Sequence, residues 1–117
     1  MKWHRSRPIL MALQFICSAA LLSGIIGLKP VAAKEHIIEI QAFKYVPDRL
    51  TVSPGDTITW INRDLAPHTA TALDRSWDTK RLKKGERMSI VITQTTKLAY
   101  FCRFHPHMKA LLVRKTD

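Results

Sequence analysis

YFCRFHPHM, residues 100–108, carries one cysteine, two histidines and one methionine within nine residues. Cys102, His105 and Met108 follow one another at steps of three. On a strand that spacing scatters side chains over both faces; in a tight loop it can turn all three toward one point. The flanks are strand-like, with LAYFC, 98–102, before and ALLV, 110–113, after. Residues 103–109 therefore bridge two strands. Pro106 stiffens the bridge and restricts His105 before it. A short loop held between two strands presets its ligands, so fold and chemistry are read from the same nine residues.

Working outward, the chain continues as strands and turns. HIIEIQA, 36–42, places Ile38 and Ile40 on one face, and RLTV, 49–52, leads into the turn SPGD, 53–56. TITWIN, 57–62, alternates Ile58 and Trp60 inward against Thr57 and Thr59 outward. HTATAL, 68–73, reads as a further strand, and RMSIVIT, 87–93, alternates Met88, Ile90 and Ile92. About seven short strands with regularly spaced turns predict an all-β sandwich or barrel. DRSWDTKRL, 74–82, reads as a loop or an edge strand, with Trp77 packed onto the sandwich and Trp60 in the core. The basic run KRLKKGER, 80–87, reads as a solvated turn.

The ligand types select the ion. A thioether is a poor ligand for zinc, calcium or magnesium and suits copper. Two histidines and a cysteine with a long axial methionine make the blue-copper arrangement. The loop needs a second histidine from elsewhere. His68 fits best, because it follows Pro67 at the end of the loop NRDLAPH after TITWIN. His107 reads as solvent-facing, since a trigonal site is already filled, and His36 as plain surface.

With these residues in place, the segment 35–115 resembles a cupredoxin, nearest the short-loop amicyanin and pseudoazurin-like branch. The resemblance rests on TITWIN followed by Pro67-His68, on C-x-x-H-P-x-M at 102–108, and on the turn SPGD. It implies a Greek-key β-sandwich and one type 1 copper. It further implies His68, Cys102 and His105 as equatorial ligands, Met108 as the axial ligand, and one-electron transfer as the work. Some positions depart from the family pattern. Thr69 stands where several relatives carry Asn to tie the two ligand loops, and a Thr hydroxyl can make a similar bond. Leu98 replaces an aromatic, TTK lacks the usual glycine, and His107 replaces an apolar residue.

The N-terminus frames this domain. Lys2, Arg5 and Arg7 precede an uncharged apolar run at 9–28, and VAA, 31–33, offers small residues before Lys34. Residues 1–33 read as a signal peptide with an apolar leader helix, or as an uncleaved membrane anchor. Residues 34–117 then form the cupredoxin-like domain, periplasmic or otherwise exported. Its formal charge is +6, with 15 basic residues against 9 acidic. For an exported protein this points away from nucleic acid and toward an acidic redox protein partner, with membrane contact only if the leader stays uncut. Arg103 and Lys109 flank the ligand loop and are expected to steer that partner; Phe104 and Pro106 offer apolar contact. The exported domain holds a single cysteine, Cys102, which excludes an internal disulfide and marks a reactive or metal-bound thiol. A monomeric electron carrier that is not an enzyme is the leading expectation. A periplasmic copper carrier or resistance protein using the same ligands is the alternative. A Cys-His nucleophilic enzyme ranks last, because neither an orienting third group nor a substrate pocket is signalled.

Overall fold

A computed structural model describes residues 27, 28, 30 and 32–116. The leader's apolar run lies outside these residues save for its last two. The described chain forms eight strands: β1 (Glu35–Gln41), β2 (Lys44–Val46), β3 (Arg49–Val52), β4 (Thr57–Asn62), β5 (Thr71–Ala72), β6 (Arg87–Val91), β7 (Ala99–Phe101) and β8 (Lys109–Arg114). They make two four-stranded sheets, ordered β2-β1-β4-β6 and β3-β8-β7-β5. β1 runs parallel to β4 and β3 parallel to β8, while the remaining pairs are antiparallel. This is the all-β sandwich that the strand pattern predicts, with the Greek-key arrangement that the resemblance implies.

The alternation of β4 explains the core. Ile58 and Trp60 are fully buried between the sheets, with Ile38 and Ile40 beside them on β1. Trp77 leaves its loop to stack on Trp60, ring centroids 5.2 Å apart, and Tyr100 meets both rings. Ser53-Pro54-Gly55-Asp56 closes as a turn, with the Asp56 N–H donating to the Ser53 carbonyl at 3.0 Å. Gly55 stands at φ 95°, the left-handed position that such a turn reserves for glycine after proline.

Four expectations shift. β5 is two residues long, and His68 joins Leu82 only through an isolated bridge. Leu82 therefore enters the core from within the basic run, whose other residues are exposed. Met88 is 44% exposed, because β6 is the edge of its sheet among the described residues. Thr59 faces outward yet is buried, covered by Glu35 and by Ser89, whose hydroxyl lies 2.7 Å from its own. β2 passes unnoticed in the sequence because three residues carry no readable period.

Candidate metal centre

The ligand loop is fixed at its ends. Phe101 on β7 pairs with Lys109 on β8, which leaves Cys102–Met108 as the connection. Cys102 N–H donates to the Met108 carbonyl at 3.1 Å, and Met108 N–H donates to the His105 carbonyl at 2.8 Å. The loop thus closes on itself and holds Cys102 and Met108 buried, with His105 half-buried.

The second ligand loop is organised by Asn62 at the end of β4, fully buried. Its Nδ2 donates to the carbonyls of Ala66 and Leu82, and its Oδ1 accepts from Asp64 N–H. This folds NRDLAPH back so that His68, also fully buried, reaches the Cys102 loop.

Three donor atoms meet there. Nδ1 of His68 and Nδ1 of His105 are 3.2 Å apart, and Sγ of Cys102 lies 3.8 Å from the first and 3.7 Å from the second. A point in their plane is about 2.1 Å from all three, within the roughly 2.0–2.3 Å of first-row metal bonds to imidazole and thiolate. His68, Cys102 and His105 therefore fit one ion without rearrangement. Met108 stands at the end of the same loop, 3% exposed.

His68 is aimed from behind. Its Nε2 lies 2.8 Å from Oδ2 of Asp64, which leaves Nδ1 for the metal, the usual arrangement behind a ligating histidine. Burial alone raises the Asp64 carboxyl; hydrogen bonds from the N–H groups of Phe43 and Ala42 and from His68 outweigh it and hold the group below its ordinary range. Those two N–H groups belong to the two-residue turn between β1 and β2. Ala42 and Phe43 sit at φ 50° and 58°, a turn type that favours Asn-Gly. Asp64 accepts both N–H groups at 2.7 and 2.9 Å and so holds a strained turn in place. The strain has a use: it sets the Phe43 ring nearly perpendicular to the rings of His68 and His105, at 5.0 and 4.9 Å between centroids. Partial burial, then the neighbouring His68 and His107, hold His105 below the usual histidine range.

The sequence profile of the cupredoxin-like domain matches residues 8–113. The chain belongs to the cupredoxin family. This cupredoxin is 31% identical over 88 residues to the amicyanin of Paracoccus denitrificans, covering 71% of this chain and 67% of that one. It is 24% identical over 95 residues to the amicyanin of Paracoccus versutus, covering 73% and 72%. A solved structure of a reduced amicyanin variant superposes with a TM-score of 0.62 at 30% identity, over 74% of this chain and 87% of that one. A copper-containing nitrite reductase from Thermus scotoductus SA-01 shares the fold, with a TM-score of 0.61 at 23% identity. This cupredoxin spans 24% of that enzyme's chain. The cofactor is one type 1 copper, which the donor set and its spacing suit.

Thr69 makes the tie expected of it. Its Oγ1 accepts the Arg103 N–H at 2.9 Å, and its own N–H points at Cys102 Sγ at 3.4 Å. The Tyr45 hydroxyl donates to the Thr69 carbonyl; burial, then the nearby Cys102, push that hydroxyl far above its ordinary range, so it stays a donor. His107 is exposed, as expected. Arg103 departs from its expected role, because Nη2 is 3.0 Å from Oδ2 of Asp78 and its charge is paired. His36 is not plain surface; its Nε2 lies 2.8 Å from Oδ2 of Asp56. Sequence reading missed Asp64, Asn62 and Phe43. Only Asp64 carried a signal, four residues before His68 on the same loop.

Proposed function

We propose that this cupredoxin carries single electrons between redox proteins in the periplasm, after export by residues 1–33, and transforms no substrate itself. Residues 34–117 act as one domain, with His68, Cys102 and His105 as equatorial ligands and Met108 as the axial one. One observation carries the reading: three donor atoms already stand at ligating separation before any metal is considered. Copper supplies a one-electron couple when bound. The protein's part is to keep the ligands still. Asp64 fixes the His68 ring, Thr69 ties Cys102 to the other loop, and the Cys102–Met108 bond closes the third side. Small rearrangement at each transfer follows from that rigidity.

Electron passage is assigned to His105, the half-exposed ligand, beside exposed Phe104, Pro106 and His107. The partner is read as acidic. Lys80, Arg81, Lys83, Lys84 and Arg87 are all exposed, and their loop is laced to His68 through the Leu82 bridge. Positive charge there raises the encounter rate with an acidic partner.

Copper-loaded protein is expected to show an intense thiolate-to-copper band and a type 1 paramagnetic resonance signal, both lost in Cys102→Ala. A colourless oxidised protein sinks the proposal. A fast, reversible couple supports electron transfer; tight retention of Cu(I) with resistance to oxidation supports the copper-carrier alternative. Lys83→Glu with Lys84→Glu should slow electron exchange with an anionic oxidant such as ferricyanide and flatten its salt dependence.

A further inference from the structure

We propose that Asp78, in the loop between β5 and β6, is a positioning residue for the copper site, acting through two separate routes on the Cys102 loop. The proposal rests on the copper reading above and deepens it. The first route is charge. Asp78 Oδ2 holds Arg103 Nη2 at 3.0 Å, and the pair is substantially shielded, with side chains 16% and 33% exposed. Arg103 Nε is buried and makes no bond of its own among the described residues; the guanidinium is held by the Asp78 ion pair and lies 5.9 Å from the centre of the Phe104 ring. Arg103 directly follows Cys102. A free cation at that position favours the less positively charged, reduced site; Asp78 cancels it.

The second route is a hydrogen-bond chain with one direction. Asp78 Oδ1 accepts from the Thr71 hydroxyl at 3.1 Å and from the Lys80 N–H at 2.8 Å. An ionised carboxylate only accepts, so the Thr71 proton is committed to it. Thr71 Oγ1 must therefore accept from the Thr69 hydroxyl, 2.9 Å away. Thr69 Oγ1 also accepts the Arg103 N–H at 2.9 Å, a bond whose direction the amide itself fixes. The carboxylate thus orients the Thr71 and Thr69 hydroxyls, and Thr69 carries the chain on to the amide of the residue beside Cys102. The loop tie assigned to Thr69 is the visible end of this chain, and Asp78 is its anchor.

The two routes predict shifts of opposite sign from two single variants. Asp78→Asn keeps size and an acceptor but leaves Arg103 unpaired, so the reduction potential of the copper-loaded protein rises. Arg103→Gln leaves Asp78 unpaired, so the potential falls. The double variant returns close to the parent, because both charges are gone. Equal signs for the two single variants, or no shift in either, overturn the charge route. The hydrogen-bond route is read in copper-free protein by amide hydrogen exchange. Thr71→Val should lower protection of the Arg103 amide by roughly five- to tenfold, while amides of β1 and β4 keep theirs. Unchanged protection at Arg103 overturns that route. Thr71→Ser restores the hydroxyl and is expected to restore protection. If the protein fails to bind copper as proposed, the exchange result still stands or falls by itself.

Discussion

Two histidine–carboxylate pairs, each 2.8 Å long, sit at opposite ends of β1 and β4 and serve different ends. At the metal end Asp64 holds His68, whose ring is fully buried and whose second nitrogen faces Cys102 and His105. At the far end Asp56 holds His36, whose side chain is 18% exposed and belongs to no cluster of metal-ligating side chains among the described residues. Asp56 also accepts the N–H groups of Lys34 and Ser53, each at 3.0 Å, and so clamps the start of β1 to the β3–β4 turn. The pair is the same; its neighbours decide whether it orients a ligand or locks a strand. Both carboxylates gather two backbone donors and one imidazole, so their removal should cost similar stability and very different chemistry.

Among the two carboxylates, Asp64→Ala carries the larger expected loss. It removes the acceptor for two left-handed residues and frees the His68 ring. Copper affinity should fall by about 10–100-fold, and stability by about 2–3 kcal/mol. Chelator competition and denaturant midpoints measure the two separately. Unchanged affinity in a folded variant breaks the contrast, because Asp64 would then be only another clamp.

Asp56→Ala should cost about 2 kcal/mol and leave the copper spectrum where it was. Burial acts to raise the Asp56 carboxyl, but hydrogen bonds from Ser53, Lys34 and His36 overcome it and hold the group at about 2. An unfolded Asp titrates near 4. A carboxyl depressed in the folded state stabilises above the unfolded value and loses that contribution as pH falls through the folded one. Stability is therefore expected to drop between about pH 4 and 2, and Asp56→Asn should flatten the drop. An identical acid profile in the variant assigns the acid loss to other groups.

Phe43→Gly sharpens the metal end further. Glycine relieves the left-handed strain, worth about 1 kcal/mol, while the lost ring contacts oppose that gain. Net stability should move little. Removing the ring from both histidines should instead speed copper release to a chelator several-fold. An unchanged release rate means Phe43 covers nothing that matters.

How much of this was legible beforehand follows from distance along the chain. The Cys102, His105 and Met108 set lies within seven residues, and soft ligands at that spacing have few other uses. His68 was reachable through Pro67 and the loop after TITWIN. The residues that aim the ligands were not. Asp64 bonds to amides 21 and 22 residues away, and Asp78 reaches a residue 25 positions on. Asp64 shows its place four residues before His68 but no mark of its distant amide partners, Asp78 shows none at all, and no residue type announces a left-handed Ala-Phe turn. The same holds for Arg103, whose charge reads as free until Asp78 is seen beside it.

The smallest effect tests the far pair itself. His36→Gln removes the imidazole from Asp56 but leaves the two backbone donors, from Lys34 and Ser53, in place. The strand clamp survives on those, so the cost should stay under about 1 kcal/mol, the range of a partly exposed pair. The copper band and potential should not move, since His36 shares no contact with the ligand loops. The matching change at the metal end, His68→Gln, removes a donor atom and should abolish the type 1 signal while the fold persists. Equal and small effects at both ends would mean that His68 is no more a ligand than His36. The ratio of the two outcomes, measured in one background, is therefore the sharpest reading of what separates the two pairs.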